Sequence, residues 1–179
     1  MKVLTGFSFC VALSLSSFGG DAAFTLESST FKDGGPIPAK CAMKGVKNGG
    51  NVSPALSWRN PPVGTKSFVI TCVDKHPIAH NWVHWILFEI PGDCRSLQEG
   101  ASLSAMPNGC VERKNSFKLS GWGGPMPPEG SGKHKYVFTI YALDERIMQK
   151  GEDVSEMEFM KPFNGNIIGK ASITGTFER

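Results

Sequence analysis

Ser67-Phe68-Val69-Ile70-Thr71-Cys72-Val73 is the stretch on which the fold turns. It has strand length, is rich in β-branched residues and is mostly apolar without alternation, and it follows the turn cluster Pro61-Pro62-Val63-Gly64. That pattern predicts a strand covered on both faces. Working outward, Trp82 to Ile90 repeats it and ends at Pro91-Gly92, and Lys135 to Leu143 forms a third long run of β-branched and aromatic residues. Ile167 to Phe177 alternates instead: Ile167, Gly169, Ala171, Ile173, Gly175 and Phe177 share one face, and Lys170, Ser172, Thr174 and Thr176 the other. One face is expected to be buried and one wet. Helical periodicity is scarce. The one clear helix opens at Ser155 with Glu158 three residues on, a capping-box spacing, and ends at Pro162. Many strands, Gly/Pro-rich turns and few helices predict a mostly β fold, an antiparallel β-sandwich with short peripheral helices.

The chain begins with Lys2, an apolar run from Val3 to Leu15, and small residues up to Ala23. This order is that of a secretory signal peptide, and the run is shorter than the roughly 20 apolar residues a membrane-spanning helix needs. A buried N-terminal helix or an uncleaved anchor is the alternative. Removal of residues 1–23 leaves 24–179 as one domain, of a size that buries about 70% of its unfolded surface. The expected location is periplasmic or secreted. Net charge is +3 with no basic run or aromatic-basic stripe, which argues against nucleic acid and against stable membrane insertion. Cys41, Cys72, Cys94 and Cys110 remain after the leader. They allow three full pairings; Cys94 and Cys110 bracket a polar loop-like stretch and are the expected disulfide. No cysteine spacing suits zinc.

Two segments gather polar groups where strands meet loops. In Asp74-Lys75-His76-Pro77-Ile78-Ala79-His80-Asn81-Trp82-Val83-His84, a core strand runs into Asp74 and the next strand begins with Trp82 and His84. The period-two rule places these two on one face, with Ile86 flanking His84. A neutral, hydrogen-bonded core histidine is the plainer reading. In Gly121-Trp122-Gly123-Gly124-Pro125-Met126-Pro127-Pro128-Glu129-Gly130-Ser131-Gly132-Lys133-His134-Lys135-Tyr136, the prolines predict a rigid loop and the glycine amides a concavity for an anion. A simple turn with a surface histidine is the alternative. His76, His80 and His84 would suit a metal only on a helix, which Pro77 opposes, so no metal and no cofactor is implied. Gly132-Lys133 lacks the glycine at 127 and the hydroxyl residue at 134 that a phosphate-binding P-loop requires. The hydrolase G-x-S-x-G, the H-E-x-x-H and the dinucleotide-binding glycine patterns are also missing from the sequence.

Trp82-x-His84, the block Gly123-Gly124-Pro125-x-Pro127-Pro128-x-Gly130 and His134-Lys135-Tyr136 resemble the signature blocks of the phosphatidylethanolamine-binding protein (PEBP) family, also called Raf kinase inhibitor-like proteins. The pattern is nearest to the bacterial YbhB/YbcL-type branch. Asn51-x-Ser53-Pro54-x-Leu56-x-Trp58, Pro61-Pro62-x-Gly64-Thr65-Lys66-Ser67 and the closing Thr174-Gly175-Thr176-Phe177-Glu178-Arg179 extend the resemblance over nearly all of the chain after the leader. It implies a β-sandwich with a small surface pocket for phosphate-like anions, lined by Asp74, Trp82, His84, Gly124, Pro127, His134 and Tyr136. The chain departs from the family at Asp74-Lys75-His76-Pro77, where Asp-Pro-Asp-Ala-Pro is usual; Asp74 matches either of the two aspartates.

The function expected from these readings is reversible capture of a small anionic or phosphorylated ligand by a binding or regulatory protein, not an enzyme. His84 and His134 would donate to anion oxygens, amides near Gly124 would add donors, and Asp74 would orient a histidine. Binding would then strengthen as pH falls through about 6.5. Two or three charge-assisted bonds of roughly 1.5 to 3 kcal/mol each, set against lost rigid-body freedom, give a bare phosphate an affinity around millimolar. A protein-interaction or inhibitor role for the sandwich surface is the second reading, with room for a homodimer. An acid-base enzyme built on His84, Asp74 and His134 is the third, and Ser131 has no base partner legible in the sequence.

Overall fold

The computed structural model describes residues 22–148 and 155–179. Nearly all of the expected leader lies outside the described residues. Among those described, no helix is long and apolar enough to cross a membrane.

Eight strands form two antiparallel sheets among the described residues: β1 (Thr25–Glu27), β2 (Leu56–Arg59), β3 (Ser67–Asp74), β4 (Trp82–Pro91), β5 (Ser96–Leu97), β6 (Val111–Glu112), β7 (His134–Leu143) and β8 (Ile167–Phe177). The small sheet runs β1-β2-β5 and the large one β6-β4-β3-β7-β8. At the centre, every residue of β3 is buried. Its even-numbered apolar residues Phe68, Ile70 and Cys72 face the small sheet and pack with Leu56, Trp58, Trp85 and Phe138. Its odd-numbered Val69 and Val73 face the other way, where they join Ile86 and Phe88 under Phe159, Met160 and Phe163. Those last three come from α1 (Glu156–Met160) and the 3-10 turn Lys161–Phe163 that continues it. Two apolar covers, one a sheet and one a helix, are why β3 shows no alternation.

The helix starts as its capping box predicts, with the Ser155 hydroxyl accepting from the Glu158 amide at 3.5 Å. In β8 the even-numbered residues are more exposed only as far as Thr174. Thr176 is buried because residues 34–37 lie along that edge: Gly34 N donates to Thr174 O, Ile37 N to Thr176 O, and Thr176 N to Gly35 O. Covering an edge in this way blocks strand addition by another chain.

Cys94 and Cys110 stand as thiols, both partly buried against the core between the sheets. Burial pushes the Cys110 thiol up to about 12, and the neighbouring Cys94 adds to the shift.

If α1 is the second cover of β3, Phe159→Ala should lower the unfolding free energy by about 3 to 5 kcal/mol, the range for emptying a buried aromatic position. Urea unfolding followed by tryptophan fluorescence measures this; a loss below about 1 kcal/mol would show that the helix is not a cover for the sheet.

Candidate functional site

Sheet register brings the two polar segments together. Asp74, the end of β3, pairs with Trp82 at the start of β4 and with Tyr136 near the start of β7. His134 opens β7 two residues before Tyr136, on the same face. His84 arrives by an irregularity. Val73 pairs with Val83 and Cys72 with Trp85, so His84 is an extra residue, a β-bulge. The bulge corrects the period-two reading: beyond it the parity inverts, Ile86 turns to the helix side, and His84 is flanked by other groups. Its ring lies edge-on to Tyr136, with centroids 4.9 Å apart, and to Phe117 at 5.6 Å.

The hydrogen bonds assign roles to these rings. His84 Nδ1 donates to Gly123 O at 2.5 Å, while Gly123 N donates back to His84 O. Burial drives the His84 pKa down to about 4, outweighing the opposing pull of the Gly123 carbonyl and the Asp74 charge. At neutral pH the ring is therefore neutral, with its hydrogen on Nδ1. His134 Nδ1 meets Asp74 Oδ2 at 2.6 Å, and the His76 amide donates to Asp74 Oδ1 at 2.9 Å. The His76 ring stacks on His134 at 3.9 Å. The Tyr136 hydroxyl is buried and has no partner among the described residues; burial also raises its pKa well above the usual tyrosine range.

Ser131 Oγ lies 3.0 Å from His134 Nε2, so Ser131, His134 and Asp74 stand in the order of a hydrolase relay. The serine gives its single hydrogen to Pro128 O at 2.6 Å. Only its oxygen is left for the imidazole, and Ser131 stands outside the cleft wall. The contact braces a turn.

Asp74, Trp82, His84, Pro127, His134 and Tyr136 all wall one cleft of about 1120 Å³. Gly124 does not. Its amide donates to Asn51 Oδ1 at 2.7 Å, and a Cβ there would fall 2.6 Å from the backbone of Ala42 and Met43. This corrects its expected role: it permits close backbone packing and offers no amide to a ligand. The expected donor roles of the imidazoles change as well, since His84 is neutral with Nδ1 occupied and both His134 nitrogens have partners within the protein. The loop expected to be rigid is tied to distant parts of the chain: Asn51 Nδ2 donates to Trp122 O, Trp122 Nε1 to Cys41 O, and Arg179 Nε to Pro127 O.

The four-residue spacing of His76, His80 and His84 does not lie on a helix. Residues 77–79 form one 3-10 turn, His80 is left-handed at φ 48°, and His84 sits on the bulge. Among the described residues no group of three His, Cys, Asp or Glu side chains is arranged to hold a metal.

Sequence reasoning missed two walls of the cleft. Phe117, edge-on to both Trp82 and His84, is held by Asn115, whose side chain is buried and accepts from the Phe117 and Leu119 amides while donating to Gly121 O. It sits in a short polar stretch with no periodicity, and only the Asn-Ser turn chemistry marks it. The other wall is α1, with Glu156, Met157 and Met160, together with Tyr141 on β7. Lys75 reaches Glu156 at 3.1 Å across the cleft, and Lys161 reaches Glu158 at 2.8 Å.

Comparison with known proteins identifies the family and supports the fold. The family described as phosphatidylethanolamine-binding protein matches residues 27–178. UPF0098 protein YbhB of Escherichia coli K12 is 38% identical over 158 residues, covering 85% of this chain and 98% of YbhB. UPF0098 protein YbcL of the same organism is 33% identical over 162 residues, covering 88% of each chain. The crystal structure of E. coli YbcL matches with a TM-score of 0.80 at 32% identity, over 88% of this chain and 99% of that one. The fold, the matched span and these relatives together place the chain in the phosphatidylethanolamine-binding protein family, in the branch that contains YbhB and YbcL.

Proposed function

We propose that this chain is a non-catalytic binding or regulatory protein that reversibly holds a small, phosphate-like anionic group on the floor of the cleft. The observation that carries this reading is the Tyr136 hydroxyl, buried, without a partner among the described residues, on a residue that walls the cleft. A buried hydroxyl left unpaired costs about 1 to 3 kcal/mol, and a ligand oxygen accepting from it removes that cost. The family name points to a phospho-headgroup, which carries the matching chemistry. His84 and His134 shape the floor around Tyr136, and Lys75 and Lys161, each paired with a glutamate, stand on the wall.

A second reading has its own support. Ile78, Trp82, Met126 and Met157 on the cleft wall are 38% to 69% exposed. An apolar rim around a polar floor suits a ligand with an apolar portion, or a protein segment that lays apolar side chains across the opening.

Titration with inorganic phosphate and with phosphoethanolamine, followed by ¹H–¹⁵N NMR, should shift the Trp82 indole and the Gly123 amide with affinity around millimolar. Tyr136→Phe should weaken binding by about tenfold, the value of one hydrogen bond of roughly 1.4 kcal/mol. Equal affinity in Tyr136→Phe and in His134→Ala would remove the cleft floor as the binding site.

The depressed His84 pKa also sets a pH window for stability. Between about 6.5, the unfolded value, and about 4, the folded one, the unfolded chain binds the extra proton. Stability from the neutral buried ring is thus complete above about pH 6.5 and is lost as pH falls through about 4, by on the order of 3 kcal/mol. Melting temperatures measured from pH 7 to 4 should fall more steeply in the wild type than in His84→Gln; parallel curves would contradict the assignment.

Export with removal of residues 1–23 is part of the same proposal, and export would place Cys94 and Cys110 where a disulfide persists. Intact mass of protein recovered from the periplasm of an expressing bacterium should match residues 24–179 less two hydrogens, with Cys94 and Cys110 in one linked peptide after digestion. A retained leader, or two alkylatable thiols at those positions, would contradict export or the pairing respectively.

A further inference from the structure

The charges on the cleft wall cancel. Among the described residues its charged side chains are Asp74, Lys75, Glu156 and Lys161, joined by the histidines His80, His84 and His134. His80 is exposed to solvent, and burial keeps His84 neutral above about pH 4. The state of His134 follows from its partners. Asp74 Oδ2 accepts from Nδ1 at 2.6 Å, and Ser131 Oγ, 3.0 Å from Nε2, gives its own hydrogen to Pro128 O. The serine is left to accept from Nε2, so in this arrangement the ring carries both hydrogens and one positive charge. Asp74 supplies the matching negative charge, and the two form a buried pair that is neutral in sum. The His76 ring stacks on this pair from outside the cleft wall. Lys75 is answered by Glu156 at 3.1 Å, whose other oxygen accepts from Thr71 Oγ1 at 2.6 Å, and Lys161 by Glu158 at 2.8 Å.

A sum near zero limits what the floor can hold. One negative charge on a group bonded to the Tyr136 hydroxyl lies close to the His134 charge and is tolerated. A second finds no unclaimed cation on the wall, and the Asp74 carboxylate stands on the same floor. Desolvating that second charge is then offset by nothing. A site built on free arginines or lysines has the opposite preference, because each added negative charge gains attraction there.

We propose, resting on the anion reading above, that the cleft selects by charge: it takes oxyanions with one negative charge and discriminates against dianions. Phosphodiesters, carboxylates and phosphomonoester monoanions belong to the accepted class; phosphomonoester dianions and sulfate belong to the other. Two internal carboxylates are the specificity elements. Asp74 neutralises His134, and Glu156 neutralises Lys75, so neither cation is left for a second ligand charge.

Dimethyl phosphate is a monoanion from pH 5 to pH 7.5, whereas methyl phosphate, with a second pKa of about 6, passes from monoanion to dianion over the same range. The test is a titration of the purified protein with each ester at both pH values, at matched ionic strength, followed by the Trp82 indole and Gly123 amide signals. At pH 7.5 dimethyl phosphate should bind about tenfold more tightly than methyl phosphate, and at pH 5 the two should agree within about threefold. In Glu156→Gln, which leaves Lys75 without its counter-charge, the pH 7.5 ratio should shrink by about threefold; an unchanged ratio would overturn the part assigned to Glu156. Methyl phosphate matching or exceeding dimethyl phosphate at pH 7.5 would overturn the selection and leave the anion reading standing. A tenfold preference that persists at pH 5 would overturn it too, as a preference for the shape of the diester. Silence with both esters would overturn the anion reading and the selection with it. The wild-type titrations decide the matter even if Glu156→Gln does not fold.

Discussion

A carboxylate sits at the end of the most deeply buried strand, and the site is arranged around what that carboxylate needs. Asp74 is 3% exposed, and an isolated ionised carboxylate there would be heavily penalised. Its two oxygens are satisfied by the His134 ring, which starts β7, and by the His76 amide, which starts the loop to β4. Each bond fixes a different wall. Asp74 thereby connects the core to the cleft, with one contact from the short β3–β4 loop and the other from the start of β7.

The floor built on that carboxylate is deeply buried and has few unpaired donors. His84 is held neutral by burial, Tyr136 is fully buried, and the two lysines on the wall are each engaged by a glutamate. Binding there depends less on net positive charge than on matching donors to acceptors, because in a low dielectric an unmatched polar atom costs more than a distant charge contributes. On the proposed anion reading, a bare anion binds weakly, and the exposed apolar rim offers the added contact area by which a larger ligand or partner would hold on.

Long-period features of the fold were legible in the sequence. The unbroken apolar run of β3, the capped helix before the last strand and the Gly/Pro loop each carry a local signature, and the structure realises all three. Asp74, His134 and Tyr136 were legible through the family resemblance, and His134 and Tyr136 also because residues two apart in a strand share a face. The rest was hidden for identifiable reasons. The bulge at His84 leaves no mark in an apolar run, so the reading assigned Ile86 to the wrong face. Gly124 resembled an amide donor because sequence does not reveal that Asn51 takes the amide first. Phe117 lies in a stretch whose order comes from one buried asparagine, and α1 contributes to the cleft only through tertiary packing.

The loop bearing Pro127 is tied at both ends to distant parts of the chain, to Asn51 on one side and to Arg179 on the other. Contacts of such long sequence separation are the slow ones to form. The Pro127 wall of the cleft is therefore tied down only once residue 179 has docked, although the central strands can already be paired. Closure of the Pro127 wall is thus ordered after pairing of the central strands by topology alone.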